Sequence, residues 1–468
     1  SEIADFLKVG GLAEVSASLP RALRAVTATR VLLPGYRAVL VANPGMRIVA
    51  KLPGLADIPP CELGEIITAD GLTIHIVLAP DLFDRSGSAY CDETAQPWDD
   101  NDLRFARLAL AAVEIARGIP ALGWRPDILH LNDWPASLAA GYLKWQRVPV
   151  PSILTIHNLA YQGNYSQDRL DRLAIPHDAF SMEGVEFHGT VSFLKAGIYY
   201  ASEITTVSAN YAREITKPES GCGLHGLLRT RYDQGRLTGI LNSIDESWNP
   251  STDPHLPHPF DAPDWRGKEA NAQHLREAFG LSVTRGPLFA VVSRLVHQKG
   301  LDLAMAAIGS IVRDGGQLIV TGEGEPELEN ALRAAAAERP DAIAVKIGYE
   351  EPAARRIFAG SDFLLMPSRF EPCGLSQMYA QRFGSLPIAH NTGGLGETIR
   401  DGDTGFLFEG ATPGTFLGAI KRAQSVFGRK HDLGTMRMNA MRRPFGWRHA
   451  VPAYLGVYRR ALGRVAAV

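Results

Sequence analysis

Short, largely apolar runs alternate with longer helical patterns along the chain, and this alternation restricts the possible folds more than any other feature. The apolar runs lie at residues 30–33, 127–131, 152–156, 204–207, 288–292, 317–320, 343–347, 363–366 and 386–389. Helical patterns fall between them, for example at residues 301–312, 326–337 and 375–383. Apolar strands of this kind suit sheets that are covered on both faces, so the pattern predicts an α/β protein with parallel sheets.

A proline-rich stretch divides the sequence into two parts. Residues 249–264 contain prolines at positions 250, 254, 257, 259 and 263, and such a density is typical of a linker. The 468 residues are enough for two large α/β domains. We therefore expect one Rossmann-like domain at residues 1–248 and a second that begins at residue 249.

The composition excludes several functional classes. Lys and Arg total 48 and Asp and Glu total 50, so the net charge is −2 and no basic field would attract nucleic acid. No apolar run reaches the roughly 18–20 residues of a membrane span. The cysteines, at positions 61, 91, 222 and 373, form no C-x-x-C pair that would indicate a disulfide framework or a zinc site. No targeting peptide is recognisable, and the cytoplasm is the expected compartment.

Two similar glycine motifs occur in the two halves of the chain. VGGLAE begins at Val9 and TGGLGE begins at Thr392, and both are typical of a glycine turn that opens a helix. One interpretation is that each motif offers a helix N-terminus to the same anionic ligand. The other is coincidence, since 46 of the residues are glycine.

Polar side chains follow several predicted strands at the point where each strand ends. They are Asn132, Asp133, His157, Asn158, Ser293, Arg294, Lys299, Tyr349, Ser368, Arg369, Glu371, Asn391 and Thr392. In open α/β sheets, ligands bind beyond the carboxyl ends of the strands. Because both halves contribute such residues, we expect a ligand cleft between two domains.

Three cations are candidates for binding phosphate groups. Arg294 and Lys299 lie at a predicted strand-to-helix junction, and Lys8 precedes the first glycine motif. A departing diphosphate needs its charge neutralised, and paired cations do this. The alternative is that each one is an ordinary solvated charge.

Glu371 lies in the string RFEPCGLSQ, where Pro372 restrains the backbone and Gly374 precedes a predicted helix. Its carboxylate either orients sugar hydroxyl groups or interacts with the dipole at the helix N-terminus. Cys373 is interpreted as a small buried residue, because no catalytic partner for a thiolate is evident.

His157, Asp133 and Tyr349 also have two interpretations each. His157 ends a predicted strand at the ligand edge, which favours a functional role over a structural one. Asp133 either caps a helix or binds a hydroxyl group. Tyr349 either packs within the protein or stacks on a base.

Taken together, several strings resemble those of the bacterial glycogen synthases, retaining glycosyltransferases that use ADP-glucose and are related to plant starch synthases. In the first half they are KVGGLAEV from Lys8, LPGYRAV from Leu33, DRSGSAY from Asp84, WRPDILHLNDW from Trp124, LTIHNLAYQGNY from Leu154, VSFLKAGIYYASEITTVS from Val191 and LNSIDESWNP from Leu241. In the second half they are FAVVSRLVHQKGLDL from Phe289, IGYEE from Ile347, PSRFEPCGLSQ from Pro367 and TGGLGETI from Thr392. They follow the family's order over nearly the whole chain.

The resemblance implies the GT-B fold, in which two Rossmann-like domains face each other across a deep cleft. It implies an acceptor-side domain, the starch synthase catalytic domain, at residues 1–248. A nucleotide-sugar-binding domain would occupy residues 249–445. A C-terminal helix at residues 446–468 would cross back to the first domain.

The resemblance also implies the residues that bind the donor. In the second domain they are Arg294, Lys299, Tyr349, Cys373, Gly374, Leu375, Thr392, Gly393, Gly394 and Leu395. From the first domain, Lys8 and the amides of Gly10 and Gly11 would approach the phosphate groups on closure. Asp133, His157 and Asn242 would line the glucose site. Glu371 would bind glucose hydroxyl groups near the reacting carbon.

The implied reaction adds glucose from ADP-glucose to the non-reducing end of an α-1,4-glucan such as glycogen, with retention of configuration. Neither a covalent nucleophile, a metal nor a separate cofactor is expected. Two alternatives remain: a sugar transferase with a small acceptor, and a catalytically idle protein that binds glucan or nucleotide. The presence of Lys8, His157, Arg294, Lys299 and Glu371 favours the enzyme.

The chain departs from the family pattern at a few positions. Val9 stands where Thr is usual, Asn132 where His is usual, and Ser243 where Gly is usual. Position 379 carries Tyr, as in glycogen synthases, where many other GT-B enzymes have a second Glu. This residue argues against the transferases that make sucrose or transfer mannose.

In the family a β-strand precedes the residues that correspond to Ser1 and Glu2. We therefore expect a longer natural chain, in which this strand pairs inside the first sheet and anchors Lys8 and its glycine motif. The alternative is that another segment fills this place.

Overall fold

The computed structural model describes residues 1–466, which form two compact units. Unit 1 contains Ser1–Asn242 together with the C-terminal segment from Trp447, and unit 2 contains Ser243–Gly446. The chain therefore changes unit at 242/243 and at 446/447, whereas the sequence predicts 248/249 and 445/446.

Unit 1 contains both α-helices and β-strands. Their bounds are α1 (Gly11–Leu23), β1 (Val31–Pro34), α2 (Arg37–Ala42), β2 (Arg47–Leu52), β3 (Cys61–Ile67), β4 (Thr73–Leu78), α3 (Pro80–Phe83), α4 (Asn101–Arg117), β5 (Leu129–Asn132), α5 (Asp133–Trp145), β6 (Ser152–Ile156), β7 (Asn164–Ser166), β8 (Glu186–Phe187), β9 (Thr190–Ser192), α6 (Phe193–Tyr200), β10 (Glu203–Thr206), α7 (Ala209–Glu214), α8 (His225–Asp233) and β11 (Leu237–Gly239).

The strands of unit 1 belong to separate sheets. One sheet has the order β1-β4-β3-β2, in which β1 and β4 are parallel and the other pairs are antiparallel. Another has the order β11-β10-β6-β5 with parallel pairs throughout, and β7, β9 and β8 form a small antiparallel sheet. Every side chain of β6 is buried, as expected for a parallel strand that is covered on both faces.

Unit 2 alternates strands and helices. Its elements are α9 (Arg266–Ala278), β12 (Leu288–Val292), α10 (Leu301–Arg313), β13 (Gln317–Gly322), α11 (Pro326–Glu338), β14 (Ile343–Ile347), α12 (Glu351–Gly360), β15 (Phe363–Met366), α13 (Ser376–Arg382), β16 (Leu386–His390), α14 (Gly393–Thr398), β17 (Phe406–Phe408), α15 (Pro413–Gly428) and α16 (Lys430–Met441). The sheet has the order β14-β13-β12-β15-β16-β17, and all of these pairs are parallel.

Local sequence explains several boundaries in unit 2. Pro326 and Pro413 occupy first turns of helices, where a missing amide hydrogen costs nothing. The Thr412 hydroxyl caps α15 by accepting from the amide of Thr415 at 3.3 Å. The strands contribute Phe289, Leu318, Phe363 and Ile388, among others, to one buried cluster that also contains residues of α10 and α15. The predicted α/β class is confirmed.

The C-terminal helix α17 (Val451–Ala466) packs on unit 1. Its residues Tyr454 and Val457 share a buried cluster with Leu19 of α1 and Ile153 of β6. The carboxylate of Glu203, which is fully buried at the start of β10, accepts from Arg460 at 3.2 Å and from Arg464 at 2.6 Å.

The proline-rich stretch belongs to unit 2 and is not the linker that its composition predicts. Its Leu256 and Phe260 are buried, and Asp253 pairs with the buried Arg355 at 2.7 Å. The Arg355 guanidinium lies 3.9 Å from the ring of Trp248, which also stacks on the ring of Tyr379 at 3.7 Å. Proline restricts the backbone, so the same composition also suits a rigid segment packed against a domain.

Candidate active site

The carboxyl ends of the strands in unit 2 carry the residues that the sequence predicts for the donor. Because the strands are parallel, these ends lie along one edge of the sheet. Arg294 and Lys299 follow β12, Glu371 follows β15, and Thr392 follows β16. These strands are neighbours, so the cations, the carboxylate and the second glycine motif lie at adjacent strand ends. Tyr349 follows β14, which β13 separates from β12.

Lys299 and Glu371 form an ion pair at this edge. Lys299 Nζ donates to Glu371 Oε2 at 2.6 Å, and the two side chains are only 17% and 7% exposed. The hydroxyl of Ser368 donates to the same oxygen at 3.1 Å. A 3-10 turn over His297–Lys299 brings the lysine to the start of α10. The pair places a positive charge beside an acceptor, a combination that suits a sugar attached to a phosphate group.

Arg294 and Arg369 differ in how their charges are compensated. Arg294 is exposed, and the only hydrogen bond that its guanidinium makes within residues 1–466 runs from Nη2 to Gln298 Oε1 at 3.4 Å. Arg369 donates to both carboxylate oxygens of Asp302, at 2.8 and 2.7 Å. Arg369 therefore holds its loop to α10, whereas the guanidinium of Arg294 has no acidic hydrogen-bond partner within residues 1–466.

The second glycine motif approaches the Glu371 loop too closely for any residue with a Cβ atom. Gly393 has a φ angle of +45°, and a Cβ atom there would overlap with the carbonyl oxygen of Glu371. A Cβ atom at Gly394 would overlap with the carbonyl oxygen of Cys373. The Gly394 amide donates to the Glu371 carbonyl oxygen at 3.1 Å. These contacts fix the glycine motif against residues 371–373.

The other predicted residues of this region are packed into the protein. Cys373 is 4% exposed and Leu395 is fully buried, while Gly374 and Leu375 are half-buried where they lead into α13. Gln377 Nε2 donates to the carbonyl oxygens of Cys373 and Gly374, at 3.0 and 2.9 Å. The sequence does not point to Gln377, because a glutamine within a helix gives no signal that it is buried and bonded to the preceding loop.

Tyr349 presents a partly exposed ring on a fixed turn. The side chain is 43% exposed. It follows Gly348, whose amide donates to the carbonyl oxygen of Gly322 at 2.9 Å and whose carbonyl oxygen accepts from Thr321 Oγ1 at 3.1 Å. These bonds tie the turn to β13, and an aromatic ring held in this way can stack on a planar ligand group.

Asp133 does not cap a helix, which removes one of its two interpretations. It is the first residue of α5 and has a left-handed φ angle of +55°. Its Oδ1 atom accepts from the amides of His157 and Asn158, at 2.7 and 3.4 Å, and so joins the carboxyl ends of β5 and β6. Burial raises the pKa of the carboxyl group to about 7, and the two amides oppose this rise.

His157 is a neutral histidine beside Asp133. Its Nε2 atom lies 2.9 Å from Oδ1 of Asn132, and because this oxygen can only accept, Nε2 carries the proton. Burial lowers the pKa of the imidazole to about 3. The ring is therefore uncharged near pH 7 and keeps Nδ1 as an acceptor. Asn132, a departure from the family pattern, thus still positions this histidine.

The first glycine motif is held by Glu2, a residue that sequence analysis did not select as a site residue. Glu2 is 4% exposed, and its Oε2 atom accepts from the amides of Val9 and Gly10 at 2.9 and 3.0 Å. Gly10 precedes α1, and Gly11 is the first residue of that helix. A single acidic residue several positions before a glycine turn carries no sequence signal of this contact.

Lys8 and Asn242 are the other predicted site residues of unit 1. Lys8 Nζ donates to the carboxylate of Glu14 on α1. Asn242 is 5% exposed, and its Oδ1 atom has no hydrogen-bond partner within residues 1–466. A buried amide oxygen without a partner costs free energy, so this atom suits a donor from a ligand or a water molecule.

The predicted site residues consist of charged and hydrogen-bonding side chains together with main-chain groups. Within the described range, no group of three or more His, Cys, Asp or Glu side chains is arranged to hold a metal ion. Across residues 1–466, every helix is too short or too polar to span a lipid bilayer.

Comparisons with known proteins agree along the chain. Residues 1–230 match the family model described as the starch synthase catalytic domain, and residues 276–426 match that of the glycosyl transferases group 1. Glycogen synthase 1 of Bradyrhizobium diazoefficiens is 55% identical over 97% of this chain and 99% of its own length. The glycogen synthase of Pseudomonas putida is 54% identical over 98% of this chain and 88% of its own length.

Solved structures show the same relationship. The catalytic domain of starch synthase IV from Arabidopsis thaliana, bound to ADP and acarbose, aligns with a TM-score of 0.88 and 30% identity over 99% of this chain and 98% of its own. A sucrose-phosphate synthase from Thermosynechococcus elongatus, 16% identical over 99% of this chain and 96% of its own, shares the fold with a TM-score of 0.61. The chain therefore belongs to the glycogen synthase family, and it is a glycosyltransferase with the GT-B fold.

Proposed function

We propose that this enzyme transfers the glucosyl group of ADP-glucose to the non-reducing end of an α-1,4-glucan, with retention of the anomeric configuration. The observation that carries the proposal is the Lys299–Glu371 pair at the carboxyl edge of the unit 2 sheet, with Arg294 on the same strand end as Lys299. The related starch synthase that binds ADP and acarbose supports an adenine nucleotide as donor and a glucan as acceptor.

In this proposal, unit 2 stabilises the departing ADP. Negative charge develops on the diphosphate as the bond to glucose breaks, and Arg294 and Lys299 neutralise it. The turn that contains Gly393 and Gly394 lies at the same edge of the sheet, at the start of α14, and the phosphate groups bind against it. Thr392 and Leu395 flank these glycines and contribute main-chain groups to the same turn.

Glu371 binds hydroxyl groups of the transferred glucose. Its Oε2 atom accepts from Lys299 and Ser368, so the carboxylate is held in one orientation as an acceptor for these hydroxyl groups. Tyr349 stacks on the adenine base. Cys373, Gly374 and Leu375 connect Glu371 to the start of α13, and they line the donor site.

Unit 1 supplies further hydrogen bonds to sugar and phosphate groups. His157 offers the Nδ1 lone pair of its neutral ring to a sugar hydroxyl, and Asp133 fixes the backbone of His157. Asn242 offers a buried amide oxygen that has no partner within residues 1–466. Lys8 and the Gly10-Gly11 turn serve the phosphate groups, and unit 1 also binds the acceptor glucan.

The test is transfer of radiolabel from ADP-glucose or UDP-glucose, each with and without glycogen. We expect radiolabel in the polymer only when both ADP-glucose and glycogen are present. An exo-enzyme that removes α-1,4-linked glucose from non-reducing ends should then release this radiolabel. Glu371→Gln should abolish transfer while ADP still binds, and Glu338→Gln, at an exposed position on α11, is the matched control. Equal transfer from UDP-glucose, or transfer without glycogen, would contradict the proposal.

A further inference from the structure

The two carboxylate oxygens of Glu371 are in different environments. Oε2 accepts two hydrogen bonds, from Lys299 Nζ at 2.6 Å and from Ser368 Oγ at 3.1 Å. Oε1 accepts none within residues 1–466, although the residue is only 6% exposed. A buried carboxylate with one satisfied and one unsatisfied oxygen has a defined orientation and one position at which a ligand can donate.

Ser368 is itself fixed by its neighbours. It is 1% exposed and lies just beyond the end of β15. Its carbonyl oxygen accepts from Nδ1 of His390, the last residue of β16, at 2.9 Å. The His390 ring packs near Phe408, with ring centroids 5.6 Å apart. The backbone that carries the serine hydroxyl is therefore held in place by two adjacent strands, β15 and β16.

Ser368 and Lys299 differ in what a diphosphate does to them. A diphosphate attracts the lysine ammonium, which then divides its three protons between the phosphate groups and Glu371 or turns away from the carboxylate. The serine hydroxyl carries no charge and has no such competitor. It is the group that can keep Oε2 in place throughout donor binding.

We propose that Ser368 is a positioning residue for glucosyl transfer: its hydroxyl holds Oε2 of Glu371 so that Oε1 faces a hydroxyl group of the donor sugar. This inference rests on the proposed function, because it assigns the donor sugar to Glu371. Ser368 acts through Glu371 and does not itself touch the sugar.

The experiment compares Ser368→Ala with a matched buried serine, Ser361→Ala. Ser361 is fully buried and bonds to Ser385 Oγ at 2.8 Å, at the opposite ends of β15 and β16. We expect Ser368→Ala to lower kcat about tenfold or more, as for a lost hydrogen bond to a charged group, with the Kd for ADP unchanged. We expect Ser361→Ala to keep kcat within about twofold, although its loss of heat stability should be at least as large as that of Ser368→Ala.

Two further variants separate positioning from packing. Ser368→Thr keeps the hydroxyl and should recover most of kcat, whereas Ser368→Cys keeps the size, weakens the donor and should behave like the alanine variant. If Ser368→Ala does not fold, the cysteine variant still tests whether the hydroxyl group is needed for transfer. A normal kcat in the alanine or cysteine variant, or equal losses in kcat and ADP affinity, would overturn the inference. Absence of transfer by the wild-type enzyme would instead overturn the proposed function.

Discussion

Replacing Lys299 by Met tests the ion pair on which the candidate site is built. Methionine keeps an unbranched side chain that is one atom shorter and removes the charge, so Glu371 remains with Ser368 as its hydrogen-bond donor. At the observed 2.6 Å and an effective dielectric constant near 20, the lost attraction is about 6 kcal/mol. Part of it offsets the cost of desolvating the two charges, and removal of one partner from a buried pair costs about 3–5 kcal/mol.

We expect a value near the lower end of that range, about 3 kcal/mol, because the lysine side chain is 17% exposed. In urea this is a fall in the unfolding midpoint of about 1 M for a slope of about 3 kcal/mol per M. The double variant Lys299→Met/Glu371→Gln should recover about 2 kcal/mol, since it leaves no buried charge unpaired. The assay is urea denaturation of wild type, both single variants and the double variant, followed by fluorescence and circular dichroism.

The coupling between the two positions decides the result, since it cancels effects that each substitution has elsewhere. If the double variant lost the sum of the two single losses, the ion pair would contribute nothing and the reasoning would be refuted. A urea midpoint of Lys299→Met equal to that of the wild type would also show that the ion pair does not stabilise the protein.

Further predictions address the rest of the site. Arg294→Ala should lower kcat about a hundredfold or more, from the lost charge at the diphosphate, with no change in the urea midpoint because the side chain is exposed. The pKa of Asp133 is raised by burial, so between about pH 4 and pH 7 the native state holds a proton that the unfolded state loses. The free energy of unfolding should therefore fall as the pH rises through this range. In denaturation experiments at several pH values, Asp133→Asn should show less of this fall. Gly394→Ala should disrupt the Glu371 loop and lower both activity and melting temperature, while Gly414→Ala, with open space around its Cβ position, should change neither. Activity should survive EDTA, and inhibition reversed by magnesium would show that a metal takes part.

The sequence predicts the sheets well where strands are apolar on both faces. The predicted ranges 288–292, 343–347 and 363–366 are the observed bounds of β12, β14 and β15. At the less apolar start of β5, the strand begins at Leu129 and not at residue 127. The same reasoning predicts that the polar residues after these strands lie at one edge of the sheet, as they do, since the carboxyl ends of parallel strands share an edge.

The contacts within the site could not be predicted in this way. The Lys299–Glu371 pair joins residues 72 positions apart, and its side chains meet only because β12 and β15 are adjacent and end at the same level. Nor does a sequence show that Glu2 holds the amide of Gly10, or that Asp133 adopts a left-handed backbone conformation. Such contacts depend on rotamers and turn geometry, which local propensity does not encode.

Arg294 and Lys299, the two cations that we propose bind the donor, differ in their surroundings at the edge of the unit 2 sheet. Lys299 already has a carboxylate partner, so a diphosphate must compete with Glu371 for it. Arg294 has no carboxylate within hydrogen-bond distance among residues 1–466, so its charge attracts an anion without that competition. We therefore expect Arg294 to contribute both to capture of the donor and to the transfer step, and Lys299 mainly to the step in which charge develops on the leaving group. A Kd for ADP that depends more on Lys299 than on Arg294 would contradict this division.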